Sequence, residues 1–279
     1  MENKKTPKYL YHYTSLQSLA LILQSHKIRF NPLSNMDDLQ EKRAKESKDY
    51  GRFFFVSSWT SEKKESIPMW NMYTKMEEGV RIRLPINPFV PDVNMSELHK
   101  KYNIEDNGEN IDIPNMYFDI FKFLGMGILP SVIKTEDLNA FPVKYTNDIK
   151  ALEPEAIVSD GNSCTYATLG LCKNKYWKFQ KEWRYVIQFH SFASPENIIN
   201  LDINKIVLEL DKWQQKTLDG SVTLPFSCWL LPIEDKCFAK MQITKSPQMS
   251  KGNEILLDTL VEKYNPTAKI LDSKLKDLI

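Results

Sequence analysis

The 279 residues are 42% hydrophobic and 26% charged, the balance of a soluble globular protein with a substantial core. Lys and Arg number 37 against 36 Asp and Glu, which excludes recruitment of nucleic acid by a global field and leaves that task to local patches. Cys164, Cys172, Cys228 and Cys237 form no C-x-x-C pair and have no histidine beside them, so neither a zinc site nor a redox motif is supported, and no metal is expected.

The start, Met1 to Pro7, has no apolar run behind it of the kind a signal peptide needs, and no stretch reaches the roughly 18 apolar residues of a membrane helix. A cytoplasmic protein with reduced thiols and no membrane contact is the expectation.

In chain order, Lys8 to Tyr13 reads as a short strand, and Thr14 or Ser15 caps a helix from Leu16 to Ser25 whose Leu16, Leu19, Ala20 and Leu23 share one face. Lys27 to Phe30 is a second strand. Ser34 to Asp49, with its mixed charges, reads as an exposed loop and helix. Arg52 to Trp59 has the composition of a buried strand. Ile67 to Tyr73 starts a helix with Pro68 in its first turn, and Gly79 to Leu84 is a strand in which Val80, Ile82 and Leu84 alternate with Arg81 and Arg83. From about residue 86 to 140 the pattern loosens into an insertion or helical subregion. Phe141 to Tyr145 reads as an edge strand, Ala151 to Lys175 as a helical or irregular lead-in, Lys205 to Leu210 and Met241 to Thr244 as later strands, and Glu254 to Lys263 as a final helix.

The strongest strand signal runs from Phe179 to Phe189. Its odd positions, Phe179, Lys181, Trp183, Tyr185, Ile187 and Phe189, are mostly apolar, while Gln180, Glu182, Arg184, Val186 and Gln188 alternate with them. A period of two therefore predicts a core face and a wet face, with Glu182 flanked by an amide and a guanidinium on the wet one. P-loop, zinc-protease, nucleophile-elbow and dinucleotide-fold signatures are all missing.

Three blocks, in order, carry a resemblance: Tyr11-His12-Tyr13-Thr14-Ser15; Met69-Trp70-Asn71-Met72-Tyr73 followed by Gly79-Val80; and Gln180-Lys181-Glu182-Trp183-Arg184. Together they resemble a large bacterial family with an H-Y-T start, a central M-W-x-x-Y and a terminal E-x-E-[WY]-R strand. That family is similar to the ADP-ribosyltransferase-like folds. Asp37-Asp38-Leu39 departs from the family's usual Asn-Asp-Pro, and Gln180 from its usual Glu.

The resemblance implies an α+β fold with split, mostly antiparallel mixed sheets around a cleft and flanking helices, all 279 residues forming one domain with the insertion at about 86–140. It implies a cleft that takes NAD as a substrate. Glu182, His12 and Gln180 are its catalytic candidates. His12, Tyr13, Thr14, Arg29, Trp70, Tyr73 and Arg184 are its candidates for holding the dinucleotide, Trp70 or Tyr73 by stacking nicotinamide and Arg29 or Arg184 by pairing with the pyrophosphate, a salt bridge to Asp or Glu being the equal alternative for each arginine.

The chemistry follows from residue types: cleaving ribose from nicotinamide develops positive charge on the sugar, and a carboxylate beside it stabilises that charge. The expected function is transfer of ADP-ribose to a macromolecular acceptor, nucleic acid or protein, or hydrolysis of NAD, in a toxin or phage-defence setting with an antitoxin or immunity partner. The rivals are an inactive nucleotide- or protein-binding module of the same fold and a ribonuclease using His12 or His190.

Overall fold

The computed structural model describes residues 6–102, 115–132, 137–159, 164–191 and 216–279. The expected strand at Lys205 to Leu210 lies outside them. In chain order the strands are β1 (Tyr9–Ser15), β2 (Lys27–Pro32), β3 (Phe54–Thr60), β4 (Gly79–Pro85), β5 (Ile128–Pro130), β6 (Ala140–Pro142), β7 (Lys144–Thr146), β8 (Ile157–Ser159), β9 (Cys164–Tyr166), β10 (Cys172–Asn174), β11 (Glu182–Ser191), β12 (Trp229–Pro232), β13 (Gln242–Lys245) and β14 (Lys269–Leu271). The protein is mixed α+β, and ten strands join in one mostly antiparallel sheet along the path β12-β2-β3-β1-β4-β13-β14, with β11 on β3 and both β5 and β6 on β11.

The way strands attach to β3 positions the site. One edge of β3 is filled by β11, which pairs with it from Glu182↔Thr60 to Gln188↔Phe54. The other edge is shared: β2 meets it at Val56 and Phe55, and β1 meets it only at Thr60. Ser57, Ser58 and Trp59 are left without a ladder partner on that edge, because β1 turns away to pair along its whole length with β4. The sheet opens into a notch there.

Helix α1 (Leu16–Ser25) connects the two diverging strands. Ser15 caps it, its Oγ accepting from the Ser18 amide, and Leu16, Leu19, Ile22 and Leu23 are buried. They join a core with Val80, Ile82 and Leu84 of β4 and with Leu257 and Val261 of the C-terminal helix Lys251–Tyr264. Each such side chain contributes roughly 1.5–3 kcal/mol on burial. Trp183, Tyr185, Ile187 and Phe189 enter the same core, as the odd-numbered pattern predicts. The described part of 86–140 packs into it as well, through Phe89, Tyr117, Phe118, Phe123 and Ile128.

Two expectations for β11 need correction. The strand begins at Glu182; residues Lys175–Gln180 form a 3-10 helix, and Lys181 turns in the left-handed region at φ 46°. Phe179 therefore sits 41% exposed rather than in the core. The polar face is also dry: Gln180, Glu182, Arg184 and Gln188 are all buried. Elsewhere the run Ser34 to Asp49 is not simply a solvated face, since Asp38 and Glu41 within it are buried. The edge strand expected over 141–145 is two short strands, β6 and β7, and the lead-in over 151–175 contains β8, β9 and β10.

Candidate active site

A cavity of about 220 Å³ occupies the notch. β1 contributes Tyr11, His12 and Tyr13, β2 contributes Arg29 and Asn31, the unpaired edge of β3 contributes Ser57, Ser58 and Trp59, and β11 contributes Glu182 and Arg184. Helix α2 (Ile67–Tyr73) closes one side with Met69 and Tyr73, and Gln180 and Lys173 complete the wall. Residues far apart in sequence thus meet because the sheet splits beside β3.

His12 satisfies the orphaned edge of β3: its Nδ1 lies 2.8 Å from the Ser58 carbonyl oxygen, which can only accept, so Nδ1 carries the proton. Burial lowers the pKa of His12 from the ordinary imidazole value, the Ser58 bond acting the other way, and the neutral ring keeps a lone pair on Nε2. The ring packs on Trp59 at 5.1 Å between centroids. Tyr13 is held by its hydroxyl, which accepts from the Ser66 amide just before α2.

Across the notch, Gln180 donates from its amide to the Tyr73 hydroxyl, while its Oε1 is buried with no partner among the described residues. Burial, then the Glu182 charge, raises the Tyr73 pKa above the ordinary phenol range, so it stays a protonated donor. The Glu182 amide donates to the Tyr145 hydroxyl at 2.8 Å, which fixes the start of β11.

Glu182 belongs to a closed set of four charges. Arg184 donates from Nε to Glu182 Oε1 at 2.6 Å, from Nη1 and Nη2 to Glu41 at 2.7 and 3.0 Å, and from Nη1 to the Gly170 carbonyl at 3.0 Å. Lys173 Nζ lies 3.4 Å from Glu182 Oε2 and 3.5 Å from Glu41 Oε2, and 4.7 Å from the Trp177 ring centroid. Two carboxylates and two cations sum to no net charge. Burial pushes the Glu182 carboxyl up, but Arg184 and Lys173 together outweigh it, so its pKa is below the usual range and it is ionised. The two carboxylates raise the pKa of Arg184, against the burial that lowers it.

Three candidates from the sequence change role. Trp70 does not line the cavity: it is fully buried, edge-on to Tyr13 at 4.8 Å, with its indole N–H on Glu65. Thr14 is buried in the β1–β4 ladder, also away from the cavity. Arg184 lines the cavity, but four of its five N–H groups are committed to Glu41, Glu182 and Gly170, and at 1% exposure it serves as a tie within the buried charge set. Arg29, exposed at the cavity and in no ion pair among the described residues, is available to a pyrophosphate. His190 lies at the far end of β11, opposite Leu129, and does not line the cavity.

Sequence reasoning missed Glu41 and Lys173. Nothing local marks them, because their partners stand 143 and 9 residues away and mixed charge at helical spacing ordinarily means a wet surface. Among the described residues no group of three or more His, Cys, Asp and Glu is placed to hold a metal, and no helix is long and apolar enough to cross a membrane. No family model, curated protein or solved structure matches the chain.

Proposed function

We propose that this chain is an ADP-ribosyltransferase-like enzyme that cleaves the ribose–nicotinamide bond of NAD and passes ADP-ribose to a macromolecular acceptor or to water. The observation that carries the reading is the convergence of His12, Tyr73, Gln180 and Glu182 on one notch between diverging strands. The cavity is below the roughly 300–1,000 Å³ of sites that enclose a drug-sized ligand, so it suits the nicotinamide riboside end, with the remainder of the dinucleotide outside. Arg29 is then the pyrophosphate's partner, and Tyr73 supplies an aromatic face for nicotinamide.

As the bond breaks, nicotinamide leaves as a neutral base and positive charge grows on the ribose. The ionised Glu182 stabilises that charge and accepts from a ribose hydroxyl. Gln180 Oε1, buried and unpartnered, is a second acceptor, and His12 Nε2 is a third for the other ribose. An attacking water or acceptor hydroxyl forms the new bond to the anomeric carbon and releases its proton to solvent.

A second reading has its own observation. Both Glu182 oxygens already face cations in a neutral set, the arrangement of a site that binds a nucleotide without reacting. Nicotinamide release from NAD by the pure protein separates the two: release supports the enzyme, and calorimetric binding of NAD without release supports the binding module.

A further inference from the structure

Arg81 and Arg83 stand two residues apart on β4, on the face opposite Val80, Ile82 and Leu84, and the register sets Arg81 beside Tyr13 and Arg83 beside Tyr11. The Arg81 guanidinium lies 4.6 Å from the Tyr11 ring centroid and 5.7 Å from that of Tyr13, and the Arg83 guanidinium 4.0 Å from that of Tyr9. Arg81 is only 6% exposed. Its Nη1 donates to the Lys63 carbonyl at 3.3 Å, but among the described residues neither arginine is in an ion pair and the Nε of each is buried with no acceptor.

A guanidinium this buried ordinarily has a carboxylate beside it. Tyrosine faces flank the two ions, Arg81 is held further by the Lys63 carbonyl and the Tyr13 hydroxyl, and the Nε of each arginine is left without an acceptor on the forked edge that fits a phosphate. Two like charges on one strand face repel each other until an anion sits between them. The surroundings add positive charge: Lys63 is exposed on the loop laid over Arg81, and exposed Lys269 continues the row Arg83–Gln242–Lys269 across the sheet, neither of them ion-paired among the described residues. Neither arginine lines the notch cavity, although Tyr11 and Tyr13 wall it from the other side.

We propose that the tyrosine-backed pair Arg81–Arg83 is a binding site for a phosphate-bearing anion, separate from the cavity. It does not rest on the NAD reading. The test measures fluorescence anisotropy of a short labelled single-stranded RNA, without NAD, with inorganic pyrophosphate as competitor. Wild type is expected to bind in a salt-sensitive way. Arg83→Gln, at a half-buried position that threatens folding less than Arg81, is expected to weaken binding at least about ten-fold and to flatten the salt slope by about one. Arg83→Lys, which keeps the charge but loses the fork, should fall between them, and Lys45→Gln, at an exposed lysine paired with Glu155 and outside both the cavity and this row, should bind like wild type. Competition by pyrophosphate assigns the site to free phosphates, and failure to compete while the Arg83→Gln loss persists assigns it to a strand backbone. The proposal is overturned if wild type binds neither probe, if Arg83→Gln binds like wild type, or if Lys45→Gln loses as much as Arg83→Gln.

Discussion

Arg184 on β11 and Arg81 on β4 are buried to nearly the same degree, 1% and 6% exposed, yet they have opposite surroundings. Arg184 is held by Glu41, Glu182 and the Gly170 carbonyl. Arg81 has two tyrosine rings, the Tyr13 hydroxyl and one carbonyl, with no carboxylate paired to it among the described residues. The first arrangement uses the guanidinium as a structural tie that orients a carboxylate beside a cavity; the second leaves donors unused. Burial alone does not separate structural from ligand-seeking arginines. The inventory of partners does.

That contrast sharpens first at Glu41. Glu41→Gln removes one of two carboxylates from a buried set and leaves Arg184 and Lys173 facing Glu182 alone, at an expected cost of about 3–5 kcal/mol. Denaturant unfolding reads it, and a loss below about 1 kcal/mol would mean that the four charges are not mutually dependent. Trp183→Ala probes the apolar face of the same strand, where the cavity left opposite Trp59 should cost about 3–5 kcal/mol while leaving NAD binding to the folded fraction intact. Weakened NAD binding at full folding would contradict the two-faced strand.

Smaller effects test the notch. Tyr73→Phe deletes the partner of the Gln180 amide and should cost about 1 kcal/mol, with a larger loss in NAD binding than in stability; an effect on stability alone would take Tyr73 out of the site. The smallest concerns His12, whose folded pKa is depressed. Its neutral form dominates in both states above the ordinary imidazole value, and as pH falls from there toward the lower folded value only the unfolded chain takes up the proton. Stability is therefore lost on acidification, and wild type should lose more than His12→Gln between about pH 7 and 5. Parallel curves for the two proteins would show that His12 is not buried as a neutral donor to Ser58.

The parts of this site legible in the sequence are those with local signals. The alternation of β11 identified Trp183, Tyr185, Ile187 and Phe189 as core, and the pair Thr14 and Ser15 marked the turn that carries His12 to α1, with Ser15 the cap in the structure. The opposite face was misread as wet because alternation reports which side is polar and says nothing of what covers it. Glu41 lies in the charged run Ser34 to Asp49 and becomes a buried ligand of Arg184 only through tertiary packing. Trp70 failed as a stacking residue for the reverse reason: an aromatic beside Tyr73 on a short helix points to the adjacent side, where Tyr13 and Met69 enclose it. The left-handed turn at Lys181, which costs a non-glycine residue about 1–2 kcal/mol, has no sequence mark at all.

The central claim is that Glu182, although tied to Arg184 and Lys173, stabilises charge on a ribose. Its most direct test is nicotinamide release from NAD by the wild-type protein and by Glu182→Gln, each normalised to folded protein because the substitution also disturbs the buried charges. The expected result is release by wild type and a rate at least roughly a hundred-fold lower in the variant, with NAD binding retained. Wild-type protein that binds NAD and releases no nicotinamide, or a variant that releases it as fast, would contradict the claim.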